Sequence, residues 1–392
     1  MTETTQHKKV CEALSEIEDL LKDVSRQLYE NPELPFEEYQ SAALLADEAE
    51  KAGFSVQRGA GGLETAFLAE KKGSGDGPVI AFLAEYDALP GLGHGCGHNI
   101  IAASSLGAAL ALGAVLDQVE GKVLLVGTPA EEGGGGKALL ANEGLFEEVD
   151  AAMLVHPSAR TIVARWSLAS AGFKLKFYGQ TAHAAAAPDE GINALDALIQ
   201  TYNSINARRQ HLPPDTRVHG IITKGGEAPN IVPDYAEGHF LVRAMELDNQ
   251  EKMIQMLKDC AEASAKAMGA RVEVEEYKVP YDPMKSNSVL ADLYRKHLGD
   301  MGWEESEIQG AGGSTDMGNV SQVVPALHPM MSLSREKDSV VGHTREFADA
   351  TMTPEGEECL LASARALALT GLDVLLDPSL AEKAWEEFRQ ED

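Results

Sequence analysis

Basic side chains are scarce in this sequence: 33 Lys and Arg stand against 62 Asp and Glu, a formal charge of −29. Nucleic acid and anionic membranes both call for a positive surface, so neither is expected as a partner. The acidic excess falls largely in helical stretches such as 12–23 and 382–392, which reads as a solvated face and not as the mark of a cationic substrate. No Cys-x-x-Cys pair occurs. Cys11, Cys96, Cys260 and Cys359 stand far apart, the usage of a reducing compartment with free thiols. No uninterrupted apolar run approaches the roughly 18–20 residues that span a bilayer, and the Ala- and Gly-rich stretch 100–116 suits a buried helix. Residues 1–10 are polar and lack an apolar h-region, so no signal peptide is expected and the expected location is the cytoplasm. Repeats and low-complexity tracts are absent too. What is present is an ordinary soluble composition, 44% apolar and 24% charged, in 392 residues, enough for two or three domains.

Along the chain, an opening helix is expected over 8–29, stopping before the Pro32–Pro35 turn, and a second over 37–52, ended by Gly53. Strands at 79–83, 122–127 and 151–155 then alternate with helices at 99–116 and 136–142, the pattern of an α/β layer whose sheet is mostly parallel and flanked by helices. After about residue 171 the order becomes strand, helix, strand, strand, helix, strand (173–178, 193–210, 217–223, 236–243, 249–268, 271–277). That is the ferredoxin-like α+β arrangement, here an inserted domain over 171–284, with 1–170 and 285–392 forming the first domain.

The chemistry gathers at strand ends, where α/β sheets place their sites. Segment 84–99, Ala-Glu-Tyr-Asp-Ala-Leu-Pro-Gly-Leu-Gly-His-Gly-Cys-Gly-His-Asn, follows the first of these strands and offers Asp87, His94, Cys96 and His98. Alone, it could equally be a glycine loop around a buried cysteine. The next strand ends in Pro129-Ala-Glu-Glu132, where one carboxylate can bind metal while its neighbour stays free as a general base. Lys137 after the run Gly133–Gly136 lacks the spacing of a phosphate loop. The third strand ends in His156-Pro157. Thiolate, imidazole and carboxylate delivered at one end of three successive strands suit zinc or a similar divalent ion, and such a set can bridge two.

These motifs, with Glu30-Asn-Pro-Glu-Leu-Pro-Phe-Glu37, Tyr86-Asp-Ala-Leu-Pro90, Gly179-Gln-Thr-Ala-His183, Gly191-Ile-Asn-Ala194, Pro229-Asn-Ile-Val-Pro-Asp234, Gly313-Ser-Thr-Asp-Met-Gly-Asn319 and Gly342-His-Thr344, run in this order through nearly the whole chain. The sequence thereby resembles the M20 family of metallopeptidases and amidohydrolases, within it the aminobenzoyl-glutamate hydrolases and M20 domain-containing dipeptidases. The resemblance implies two divalent ions, zinc or manganese with cobalt a third choice, on Cys96, His98, Glu132, His156 and His343, Cys96 bridging. It implies that Asp87 orients a ligand imidazole. Glu131 would act as the general base, taking a proton from the attacking water and returning it to the leaving amine. His183 would reach the active site of a neighbouring subunit and stabilise the oxyanion, which makes the insert a lid and dimerisation domain and the protein a homodimer. Asn230 and Arg243 would hold the free carboxylate of a small-molecule substrate, and Gly313, Ser314, Thr315 and Asp316 would line the pocket.

The implied reaction is hydrolysis of a dipeptide or an aminoacyl- or aminobenzoyl-glutamate-type amide, releasing a free amino acid. An N-acyl-amino-acid deacylase is the alternative, and a catalytically silent relative a third, disfavoured because Glu131 and every expected ligand are present. One departure is Asn99, where commoner members of the branch carry Asp. The bland reading goes to the other histidines: His94 supports its loop, His211, His219, His239 and His328 are structural, and His7 and His297 suggest nothing.

Overall fold

The computed structural model describes residues 4–307, 313–335 and 340–390. The chain opens with α1 (Thr5–Glu16), α2 (Glu18–Glu30), α3 (Tyr39–Lys51), β1 (Ser55–Arg58), β2 (Phe67–Lys72), β3 (Val79–Ala84), α4 (His98–Gly113), β4 (Lys122–Gly127), α5 (Gly136–Asn142), β5 (Ala151–Met153) and β6 (His156–Ser158). Next come β7 (Ala169–Tyr178), α6 (Ala194–Arg208), β8 (Arg217–Lys224), β9 (Tyr235–Ala244), α7 (Leu247–Met268) and β10 (Arg271–Glu276). It closes with α8 (Ser288–Asp300), α9 (Met317–Ser321), β11 (Ala326–Leu327), β12 (Met330–Ser332), α10 (Arg345–Ala350), α11 (Pro354–Leu376) and α12 (Ser379–Gln390). Ser167–Pro283 with Gly313–Thr315 make one compact unit, and the rest of the described chain makes the other.

The larger unit is built on a six-stranded sheet in the order β1-β2-β4-β3-β5-β11. β4, β3, β5 and β11 run parallel, while β2 and β1 extend the edge antiparallel. The central strands read Val-Ile-Ala-Phe-Leu-Ala and Lys-Val-Leu-Leu-Val-Gly, near-continuous apolar runs because both of their faces are covered. Ile80 and Phe82 of β3 and Val123 and Leu125 of β4 join a core with α1, α2, α4 and α11. Ala81, Leu83, Leu124 and Val126 face the other way into a core with Leu140, Met317 and Val320. Helix α4 is predominantly apolar and buried along its whole length, packed against α2 and α11. By length and hydropathy α4 with the turn after it, and α11, could each cross a bilayer; in this fold both lie inside the protein.

The single opening helix expected over 8–29 is two helices. The chain turns at Ile17 (φ −105°, ψ 7°), and α1 then buries Val10 and Leu14 while α2 buries Leu21, Val24 and Leu28. No proline or glycine marks this break.

The smaller unit is an antiparallel sheet, β10-β7-β9-β8, with chain order β7-α6-β8-β9-α7-β10. Alternate residues Phe173, Leu175 and Phe177 of β7 and Ala236, Phe240 and Val242 of β9 meet Leu198 and Ile205 of α6 and Met253, Leu257 and Ala261 of α7. Asn193 caps α6 by accepting from the Leu195 and Asp196 amides. Gly269, in the left-handed region at φ 73°, ends α7.

Candidate metal centre

Parallel strands β4, β3 and β5 deliver their carboxyl ends to one side of the sheet. The loop after β3 carries Cys96 and leads into His98, the first residue of α4, the turn after β4 carries Glu131 and Glu132, and His156 follows β5. Gly97 lets the first loop close: its φ is 77°, and a Cβ there would fall 2.4 Å from Pro157 Cγ, beside His156.

Three donor groups overlap. Cys96, His98 and His156 form one, Cys96, Glu132 and His343 a second, and His98, Glu131 and Glu132 a third, with the potential ligand atoms of each group within 4.8 Å of one another. Cys96 belongs to the first two. His98 Nδ1 lies 2.8 Å from the Asp87 carbonyl and 3.1 Å from Asp87 Oδ1, which fixes the proton on Nδ1 and leaves Nε2 without a hydrogen bond. The other Asp87 oxygen accepts the Glu132 backbone N–H at 2.9 Å, so one carboxylate orients ligands from two strand ends. His156 Nδ1 donates to the Pro157 carbonyl at 2.7 Å, again leaving Nε2 for a ligand. His343 is exposed, held at φ 63°, with its amide donating to the Gly95 carbonyl at 2.8 Å and its Nε2 3.7 Å from Glu132 Oε1. Buried Glu132 Oε1 has no hydrogen-bond partner. Orphaned Nε2 and Oε1 atoms beside a shared thiol are what two divalent cations would satisfy, so these residues fit a dinuclear site.

Electrostatics agree with that fit. Burial pushes the His156 imidazole down to about 4, with the neighbouring His98 adding to it, so the ring stays neutral. Burial pushes the Cys96 thiol up to about 12, only partly offset by His98. A cation bound there would therefore have to displace the thiol proton. Burial together with Glu85, Asp316 and Glu132 raises Glu131 well above the usual carboxylate range, Lys137 opposing them.

Sequence reasoning passed over the group that surrounds Glu131. Lys137, set aside as a failed phosphate motif, is fully buried, with Nζ 2.8 Å from Glu85 Oε1 and 2.6 Å from Asp316 Oδ1. Its backbone N–H donates to Asp316 Oδ2 at 2.9 Å. Burial opposes the charge on Glu85, but Lys137 and His98 hold it ionised, whereas burial and Glu85 push Asp316 up to about 6. A glutamate at the end of an apolar strand and a lysine opening a buried helix each require a counter-charge, and that requirement was the available signal. Arg165, also unremarked in the sequence, adds positive charge toward Glu131 and Glu85.

In the smaller unit, His183 is exposed, and its Nδ1 accepts from the Ala185 and Ala186 amides at 3.3 and 3.2 Å. That puts the proton of the neutral ring on Nε2, facing outward as a donor. Asn230 lies beside it, its carbonyl accepting the Ala184 N–H at 3.0 Å. Arg243 on β9 reaches Ser314 Oγ at 3.4 Å, and its Nε is buried without a hydrogen bond. Thr315 is buried.

Asn99 sits inside α4 and donates to Ser25 Oγ and Thr351 Oγ1, both at 3.0 Å, so it ties helices together and the missing charge there falls outside the donor set. His328 is fully buried, its ring centroid 5.8 Å from that of His156. A second histidine–carboxylate cluster lies elsewhere in the larger unit. His7 Nε2 and His297 Nε2 meet the two oxygens of Asp373 at 2.8 and 2.7 Å, all three residues buried. These two histidines, which suggested nothing in the sequence, share one carboxylate. His7 Nδ1 also lies 2.6 Å from Thr4 Oγ1, in the capping box that starts α1.

Residues 168–268 match the family model of the peptidase dimerisation domain. The chain is 38% identical to the Xaa-Arg dipeptidase of Mus musculus over 97% of its own length and 92% of that protein's. It is 36% identical to a polypeptide of the p-aminobenzoyl-glutamate hydrolase of Escherichia coli over 73% of its length and 64% of that protein's. In structure it resembles a dinuclear metal binding peptidase of the M20 family from Bacillus subtilis, with a TM-score of 0.71 and 22% identity over 92% of this chain and 99% of that one.

Proposed function

The chain belongs to the M20 family of metallopeptidases and amidohydrolases, and from that premise we propose that it is a dinuclear-metal hydrolase that cleaves the amide bond of a dipeptide or an aminoacyl- or aminobenzoyl-glutamate-type substrate, releasing a free amino acid. The observation that carries this reading is Cys96 shared between two donor groups, with Glu131 beside them. Cys96, His98, Glu132, His156 and His343 would hold the ions, zinc or manganese, with cobalt also suited to the donors. When bound, such ions supply Lewis acidity to the scissile carbonyl and acidify the attacking water.

The chain's own groups do the rest. Burial and the neighbouring carboxylates, opposed by Lys137, raise the proton affinity of Glu131, which suits a base that takes a proton from water and passes it to the leaving amine. Asp87 keeps His98 in the tautomer that presents Nε2. In this reading the His183 Nε2–H would serve as the oxyanion donor and the Arg243 fork, beside Ser314, would clamp the substrate carboxylate. A homodimer formed through the smaller unit is supported by the dimerisation-domain match and by β8, a sheet edge where Ile221 is 63% exposed.

The test is amino-acid release by zinc- or manganese-loaded protein from aminobenzoyl-glutamate, β-alanyl and α-dipeptides, and N-acetyl amino acids, each with a chelator control. Chelator-sensitive release from the first two classes supports the proposal. Release from N-acetyl amino acids alone would make it a deacylase, and no release with metal bound would sink the enzymatic reading.

A further inference from the structure

Among the described residues, three other than glycine hold a left-handed φ: Phe36 at 64°, Ala130 at 59° and His343 at 63°. Ala130 immediately precedes Glu131, and His343 is itself a ligand candidate. Phe36 is distant from both in sequence, yet it belongs to the same place. A Cβ built on Gly134 would come 2.6 Å from Phe36 Cε2 and 2.5 Å from Ala130 Cβ, so the ring lies directly on the turn that carries Glu131 and Glu132.

The backbone explains why this is unusual. Pro35 and Phe36 are the central residues of a turn closed by the Glu37 N–H to the Leu34 carbonyl at 2.9 Å. Pro then a left-handed residue is the type II pattern, whose second central position ordinarily takes glycine. A bulky side chain there is strained, and strain of this kind persists only where surrounding contacts over-determine it. They do so here. The Glu33 carbonyl accepts the Ala88 N–H at 2.8 Å, and the Glu33 carboxylate holds the Gln40 and Ser41 amides at the start of α3. Past the turn, buried Glu38 accepts the Ala130 N–H at 2.8 Å. The loop is thus fastened to the Asp87 segment on one side and to the Glu131 turn on the other.

For all this, Phe36 is 39% exposed. A core role would not leave an aromatic ring open, and a turn role would be met better by glycine. We propose that Phe36 is a specificity-determining residue, its ring forming an apolar wall beside Glu131 against which the acyl-side group of the substrate packs. The assignment to the acyl side follows from charge: an apolar ring offers nothing to a carboxylate, the task proposed for Arg243 and Asn230. The inference rests on the amidohydrolase reading and predicts preference for substrates with an aromatic or bulky apolar acyl group.

The experiment compares 4-aminobenzoyl-glutamate with N-acetyl-glutamate, which share their amino acid. Phe36→Gly should lower the aminobenzoyl-to-acetyl ratio of kcat/KM about 10-fold, the effect of roughly 1.4 kcal/mol of lost contact, while the melting temperature stays within about 3 °C because relieved strain offsets lost packing. Phe36→Leu should restore much of the ratio. Measuring Kd for both compounds on metal-loaded Glu131→Gln protein, with and without Phe36→Gly, reads the same preference without turnover, so failure of the hydrolase reading is seen separately. An unchanged ratio in both assays, or equal losses for both compounds, would overturn the proposal.

Discussion

Two clusters in the larger unit both set imidazoles against carboxylates and do opposite things. Around His98, imidazoles and carboxylates leave atoms unmatched: His98 Nε2 and Glu132 Oε1 have no hydrogen bond, and Cys96 keeps a thiol that burial holds protonated. Around Asp373, the two carboxylate oxygens are matched to His7 and His297, and His7 is matched again to Thr4. Close spacing of donor atoms therefore does not separate a site from a strut, since both clusters bring donors within 4.8 Å. Unspent hydrogen-bonding capacity does separate them. The Asp373 cluster joins α1, α8 and α11, and it is a fastening; the His98 cluster keeps its valence for something that arrives.

That contrast can be broken by experiment, and the largest effect is expected where capacity is unspent. Glu131→Gln should reduce turnover on the order of 10²–10⁴-fold with metal content and melting temperature held, as metal analysis and calorimetry would show; retained turnover would remove Glu131 as the base. Lys137→Met should blur the distinction by acting as strut and site at once. It leaves Glu85 and Asp316 buried without their cation, a loss of roughly 3–5 kcal/mol in denaturant unfolding, and a stable variant would mean the cluster is solvated.

Asp87→Ala should be milder, lowering metal affinity about 10–100-fold in a chelator competition while the fold survives. Asp373→Asn should do the reverse, costing roughly 1–3 kcal/mol with kcat/KM unaltered in the folded protein. Burial raises the Asp373 carboxyl, but the His297 and His7 bonds more than offset this and leave it below its ordinary value. Its stabilisation is then complete above the unfolded carboxylate value, about 3.9, and is lost as pH falls through the lower folded value. Wild type and Asp373→Asn should accordingly differ at neutral pH and converge in acid; a constant gap would assign the loss to something other than this ionisation.

How much of this was legible beforehand depends on the range of the interaction that decides it. β3, β4, α4 and the β-α-β-β-α-β order of the smaller unit are written in local periodicity, and the donors of the metal centre follow strands directly, so their neighbourhood could be read from composition at strand ends. β1 is short and largely exposed, and its pattern gave no alternation to read. Lys137 and Asp316 are 179 positions apart, His7 and Asp373 are 366 apart, and nothing in the local sequence of either partner announces the other. His343 illustrates the same limit: only resemblance to relatives attached it to Cys96 and Glu132, because its loop is brought back to Gly95 by tertiary structure. Phe36 was visible as part of a motif, but its strain exists only in three dimensions.

The placement of α4 has a consequence for how the protein is made. One side of this largely apolar helix is covered by α11, which ends at Leu376, and the segment carrying the smaller unit lies between them in the chain. At ribosomal rates of about 5–20 residues per second, α4 emerges some tens of seconds before its cover. During that interval the nascent chain displays a helix with the length and hydropathy of a membrane anchor, and the contiguous β7–β10 segment has time to fold first. Biogenesis of this enzyme should therefore lean on whatever shields apolar helices at the ribosome exit, and slowing synthesis between α4 and α11 should lower the yield of folded protein more than slowing it anywhere after Leu376.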